Sequence, residues 1–237
     1  MKNFKTYVIH VKGSDQRFQI ISNEIAAKKI DAEYILNGNK ENINDNILDR
    51  FFKGEMREVK NATSCALKHI LAYQQLQQSG NAFALILEDD IELYDNFIPT
   101  LEKSIDEIVK RKLKNVLVCF EESGLRYVKK SERQSDIILY QQATGRMAGA
   151  YLIDLGAANT MLHYIQEHKI GEPIDFFHNT CSSKKIISIY WSHPSTACQR
   201  SINGKINSLI DNKKTGIVKQ LGFNIERIYK KILYRLR

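Results

Sequence analysis

The sequence predicts an α/β fold with a mainly parallel central sheet, and three observations carry that reading. Short apolar runs recur along the chain, several without polar alternation, as strands buried on both faces require. Between them lie segments whose apolar residues return every three or four positions, the period of a helix packed on one side. One of the apolar runs, FALIL (83–87), leads straight into Glu88, Asp89 and Asp90. Open α/β sheets collect ligands at the carboxyl ends of their strands, and that is where these acids fall.

Each element follows in order. TYVIHV (6–11) reads as a buried strand, and Gly13–Ser14 as a turn. Ser14 suits the N-cap of a helix running through Lys29, with Phe18, Ile21 and Ile25 on one face. EYIL (33–36) is a second short strand, and residues 37–50, rich in Asn, Asp and Gly, read as an irregular loop. From Thr63 to Gln78 a helix is predicted by Ala66, Ile70, Tyr73 and Leu76, stopped by Gly80. After the strand FALIL, Ile98, Leu101, Ile105 and Ile108 mark another helix, with Pro99 tolerated in its first turn. NVLVCF (115–120), DIILY (136–140), residues 148–153 and KIISIY (185–190) read as strands. Leu155, Ala158, Leu162 and Ile165 line a helix between the last two.

At 237 residues the chain holds one large α/β domain or two small ones. Three prolines and no low-complexity tract leave no linker before residue 200, so a single domain over 1–210 is expected, followed by a tail over 211–237. The tail's sequence IVKQLGFNIERIYKKILYRLR places Ile217, Leu221, Ile225, Ile228 and Ile232 at helical spacing among six Lys and Arg and one Glu. That is the pattern of a basic amphipathic helix lying in an anionic membrane interface. The N-terminal apolar run ends at Lys12, too short for a signal peptide, and no segment approaches about 18 uninterrupted apolar residues. A cytoplasmic protein with reduced cysteines is expected. The net charge of +8 favours an anionic partner, but no nucleic-acid recognition motif and no G-x-x-x-x-G-K phosphate loop is present. His178, Cys181, His193 and Cys198 have a spacing compatible with zinc, yet one ligand falls at the end of a predicted strand, so they read as unrelated.

Three adjacent carboxylates repel one another and lose hydration in a cleft. A hard divalent cation relieves that cost, and Mg2+ or Mn2+ usually completes its shell with phosphate oxygens. The cluster therefore points to a metal and a phosphorylated ligand; the alternative is a pair of acids that caps the next helix. By strand alternation Glu88 and Asp90 point one way and Asp89 the other. Asp175, flanked by Ile174, Phe176 and Phe177, suits a partly desolvated general base, with Glu121 and Glu122 as alternatives. Asp175 equally suits the N-terminal cap of a helix following Pro173.

ALILEDDIEL, preceded by CALKHILAYQ (65–74), resembles the bacterial lipooligosaccharide glycosyltransferases of glycosyltransferase family 25. GRMAGAYLID (145–154), EPIDFF (172–177) and HPSTACQRSING (193–204) resemble further blocks of that family, in the family's order. Where the family usually has Ser before the helix histidine, this chain has Lys68. Tyr73 stands where the family has Trp, and His10-Val11 where it has Asn-Leu. The resemblance implies a single Rossmann-like domain of the GT-A type that uses Mn2+ or Mg2+ and a nucleotide-sugar donor, UDP-galactose or UDP-glucose. It also implies a lipid-linked oligosaccharide acceptor, inverting transfer, and a place on the cytoplasmic face of the inner membrane. On that basis Glu88 and Asp90 are the expected metal ligands. Asp89, Arg17, His69, Gln199 and Ser201 are expected at the donor, and Asp175 or Glu121 as the base.

Overall fold

The structure, a computed structural model, describes residues 4–206 and 217–236. The expected domain boundary at residue 210 lies outside the described residues, as do Lys2 and Arg237. In chain order the strands are β1 (Phe4–Ile9), β2 (Glu33–Ile35), β3 (Phe83–Glu88), β4 (Ile91–Leu93) and β5 (Val116–Cys119), then β6 (Leu139–Gln142), β7 (Ala150–Asp154), β8 (Ser188–Ser192) and β9 (Ala197–Gln199). The helices are α1 (Asp15–Ala27), α2 (Asp45–Phe51), α3 (Asn61–Ser79), α4 (Phe97–Lys110), α5 (Leu155–His168), α6 (Ile174–Ser183) and α7 (Ile217–Leu236).

The central sheet has the order β2-β1-β3-β7-β5-β8-β6. β1, β2, β3, β5 and β8 run in one direction, while β7 and the edge strand β6 run against them. The mainly parallel sheet is thus present, with an antiparallel strand at its centre. Successive residues of the central strands enter opposite layers. Tyr7, Ile9 and Ile86 pack with Ile70, Tyr73 and Leu162 from α3 and α5. Val8, Leu85 and Leu87 pack with Ile21, Leu101 and Ile105 from α1 and α4. Both faces of the sheet are covered, which is why these strands read as continuous apolar runs.

Four local expectations need correction. Residues 37–50 are not an irregular loop throughout: α2 forms from Asp45, and the Asn44 side chain accepts from Ile47 N at 3.1 Å. Only Leu48 and Phe51 of that helix are buried, so a single narrow face carried its signal. KIISIY begins as a turn, because α6 runs to Ser183 and Lys185 takes a φ of 58° before β8 starts at Ser188. Ser14 makes no side-chain cap at α1. Phe18 is exposed beside His10 and Tyr34, because Arg17, with Ile21 and Ile25, takes the inward face.

Candidate active site

β3 delivers Glu88 at its last position, level with Ile9 at the end of β1. Asp89 and Asp90 make the turn into β4, and β4 pairs antiparallel with β9, Ile91 opposite Gln199. That small ribbon folds the 193–204 block, more than a hundred residues away in sequence, back over the acids.

The three carboxylates then part company. Asp89 accepts from His10 Nδ1 at 2.9 Å, Arg17 Nη1 at 2.7 Å and Val11 N at 3.3 Å. Burial works against its charge, but the bonds from His10 and Arg17 hold its carboxyl below the usual range. Asp89 is therefore engaged in fixing β1 and α1 to the site, while still lining one of the two cavities there. Asp90 is 3% exposed, and its Oδ1 has no hydrogen-bond partner among the described residues. Burial, and then the negative charge of Glu88, push its carboxyl above the usual range, with Arg17, Oδ2 at 3.7 Å, opposing. Glu88 accepts from Gln199 Nε2 at 2.6 Å on one oxygen, and from His69 Nε2 at 3.4 Å and Cys65 Sγ at 3.5 Å on the other.

Two cavities of about 320 Å3 each meet at this point, and Glu88, Arg17 and Cys65 line both. The first is further walled by Asp90, Met147, Asp175, Phe176, Gln199 and Ser201. The second is walled by Asn39, Lys40, Asn61, Lys68 and Asp89. Asp175 sits in the first turn of α6, half-buried at the cavity wall. Its burial, reinforced by the charge of Glu88, raises its proton affinity, although backbone N–H groups at the helix start oppose this. Asp175 is not the helix N-cap, which is Pro173 with no side-chain cap bond; it sits one residue inside the helix start and lines the first cavity.

The remaining expectations divide. Arg17 (9% exposed) stands between the cavities rather than in solvent. Gln199 and Ser201 line the first cavity, and Ser201 hydrogen-bonds Asp90. His69 reaches neither cavity. It is fully buried behind Glu88, its Nδ1 hydrogen-bonded to Tyr151 Oη at 2.7 Å, so it supports a site residue instead of touching the donor. The network continues from Tyr151 to Tyr73 at 2.8 Å and from Tyr73 to His178 Nε2 at 2.7 Å. Glu121 is fully buried and walls neither cavity. It accepts from Gly149 N at 2.7 Å and Ser123 Oγ at 2.5 Å, a structural anchor and not a base that an acceptor can reach. Glu122 is enclosed by Tyr94, Arg227 and Lys231.

The residues present suit a hard divalent cation: Asp90, whose buried Oδ1 has no hydrogen-bond partner among the described residues, and Glu88 line one cavity together with Ser201. Glu88 also belongs to a softer group, in which Cys65, His69 and Glu88 place their ligand atoms within 4.8 Å of one another. The Cys65 thiol is pushed well up by burial and by Glu88, so it sits there as the neutral thiol. Among the described residues no such group joins His178, Cys181, His193 and Cys198. Sequence reasoning missed His10, Cys65, Lys68, Met147 and Phe176 as site residues. His10 had a signal, its place just past the end of β1; Lys68 is fully buried, bonded to His10 O and Asn39 Oδ1, and burial lowers its pKa to about 8. Met147 had none, since its φ of 112° is a property of the folded turn.

The family model "Glycosyltransferase family 25 (LPS biosynthesis protein)" matches residues 3–178. No curated protein matches the sequence significantly. Among solved structures, the chain is similar to A197 from STIV, at 12% identity and a TM-score of 0.45, with 81% of each chain covered. It is similar to GalNAc-T7 with UDP, GalNAc and Mn2+, at 12% identity and a TM-score of 0.48, over 82% of this chain and 43% of that one. It is also similar to a putative glucose-1-phosphate thymidylyltransferase from Bacillus anthracis in complex with a sucrose. There the identity is 15% and the TM-score 0.42, over 83% of this chain and 89% of that one.

Proposed function

The chain belongs to glycosyltransferase family 25, and from that premise we propose that it moves a hexose from a nucleotide-diphosphate sugar to a lipid-linked oligosaccharide of lipopolysaccharide, with inversion. Galactose is the first choice of sugar and glucose the second, as UDP derivatives. The observation that carries the reading is that Asp90, with a buried Oδ1 that has no partner among the described residues, lines one cavity together with Glu88 and Asp175.

In this reading Glu88 and Asp90 hold Mn2+ or Mg2+. The cation supplies Lewis-acid stabilisation of the departing diphosphate. Arg17, fixed by Asp89 and reaching both cavities, adds a second positive group for the phosphates. The nucleoside takes the second cavity, over Lys68 and Asn39, and the acceptor sugar takes the first, against Phe176 and Met147. Asp175 accepts the acceptor hydroxyl's proton, and its raised proton affinity suits that task. Gln199 and His69 hold Glu88 through its two different carboxylate oxygens. No helix among the described residues is long and apolar enough to cross a membrane. A peripheral position on the cytoplasmic face of the inner membrane fits a lipid-borne acceptor.

The test is hydrolysis of UDP-galactose, UDP-glucose, UDP-N-acetylglucosamine and GDP-mannose in Mn2+ without acceptor. Turnover of a UDP-hexose above the others supports the proposal; turnover of none, with the protein folded, contradicts it.

A further inference from the structure

Helix α7 is amphipathic, but it is docked with its polar face on the protein. Glu122, 1% exposed, is enclosed by Arg227 and by Lys231 Nζ at 3.0 Å. Tyr94 Oη donates to Glu122 at 2.9 Å and accepts from Arg227 at 3.1 Å. Tyr234 packs edge-on against Tyr127 at 5.7 Å. Further along, Lys219 Nζ donates to Ser201 O at 2.8 Å, and Gln220 donates to Gly204 O at 3.1 Å. The side chains spaced three or four apart on the other face have no such seat. Val218, Leu221, Ile225, Ile228, Ile232 and Leu236 are 52–84% exposed. Two of the basic residues that the sequence assigns to a lipid-facing side are thus bound to Glu122, and the apolar stripe faces outward.

An outward stripe of this length needs an occupant. Charge decides between the two that fit. Arg235 borders the stripe, Lys230 lies farther round between the docked face and solvent, and Glu226 is the single acid of α7, so a second α7 laid against the first brings a net positive surface against its like. An anionic lipid surface instead attracts that positive surface and lets the long side chains reach the headgroups. We propose that α7 is an in-plane membrane anchor that inserts its apolar stripe into an anionic bilayer while the Glu122 clamp on its opposite face holds the catalytic domain to it. Because Lys219 bonds Ser201 O and Ser201 walls the first cavity, the anchor is tied directly to the site, which sets the acceptor cavity at a fixed place relative to the lipid plane. The link to a lipid-borne acceptor rests on the function proposed above; the membrane binding does not.

The experiment uses the full chain and a variant carrying Ile225→Gln, Ile228→Gln and Ile232→Gln, exposed positions where glutamine preserves helix propensity. Flotation with vesicles of phosphatidylethanolamine and phosphatidylglycerol is measured beside sedimentation without lipid and donor hydrolysis in solution. The expected result is binding by the wild type, at least about tenfold weaker binding by the variant, and equal donor hydrolysis by both. Equal flotation of the two proteins, or no flotation of the wild type, overturns the anchor. A lipid-free wild-type dimer that the variant converts to monomer overturns it in favour of a second copy. Loss of donor hydrolysis in both proteins with flotation as expected removes the sugar-transfer reading and leaves the anchor standing.

Discussion

Replacing Asp90 with Asn removes one of two neighbouring buried charges and keeps the side chain's shape. Since burial and Glu88 raise its proton affinity in the folded protein, ionised Asp90 costs stability as pH rises above the ordinary aspartate value. Asp90→Asn is therefore expected to melt at the same temperature or higher at neutral pH, while transfer falls about a hundredfold or more; calorimetry and initial rates check both. Asp175→Asn is expected to lower kcat by about a hundredfold or more and leave the donor KM within about threefold, because a base acts on the acceptor in the transition state. Glu121 gives a pH test. Burial pushes its pKa up to about 8 from the ordinary glutamate value of 4.5, so the folded state holds a proton that the unfolded state has released. Its contribution is present at acid pH and lost as pH rises through about 8, a slope of up to about 1.4 kcal/mol per pH unit. In chelator, Glu121→Gln should flatten that slope in denaturant titrations between pH 5 and 8. The sequence made the acid triplet visible, but the separate direction of Asp89 comes from the turn at Asp89–Asp90 and not from strand alternation, since β3 ends at Glu88. Nor did the sequence reveal that Asp89 is spent on His10 and Arg17, or that His69 faces Glu88 from behind, since both depend on contacts between distant elements.

At the scale of elements, the long helices α3, α4 and α5 and the apolar strands were legible because one periodicity dominated each. α2 was not, since two buried residues in a polar stretch carry little periodic signal. β4 and β9 were not, because three-residue strands are defined by their partner and not by their own sequence. That ribbon has a consequence at Gly149, just ahead of β7. A Cβ there would stand 2.7 Å from Gln199 Cγ and 2.8 Å from its Nε2, the atom that donates to Glu88. Gly149→Ala is expected to displace Gln199 and lower transfer by about tenfold to a hundredfold. Gln199→Ala should do the same, and the double variant should add little further loss, since both act through one contact. Rates that multiply in the double variant would show that the two positions act separately.

For the whole molecule, the family-like blocks are scattered through the sequence, and folding brings all five to one cavity, with Cys65 from the 65–74 block and Met147 from the 145–154 block. LEDD supplies Glu88 and Asp90, EPIDFF supplies Asp175, and the 193–204 block supplies Gln199 and Ser201, all on the wall of one cavity. The order of blocks was readable in the sequence; their convergence required the crossover of β4 against β9 and the start of α6 beside the end of β3. The charge of +8 was readable too, but not its disposition, because Arg227 and Lys231 are turned onto Glu122. The central claim is that Glu88 and Asp90 hold a cation that sugar transfer requires. Its most direct test is the rate of UDP-hexose turnover by the wild-type protein in excess chelator, followed by readdition of Mn2+ or Mg2+. The account predicts that turnover is abolished by the chelator and restored by the metal, with Asp90→Asn unresponsive to either; undiminished turnover in excess chelator would contradict it.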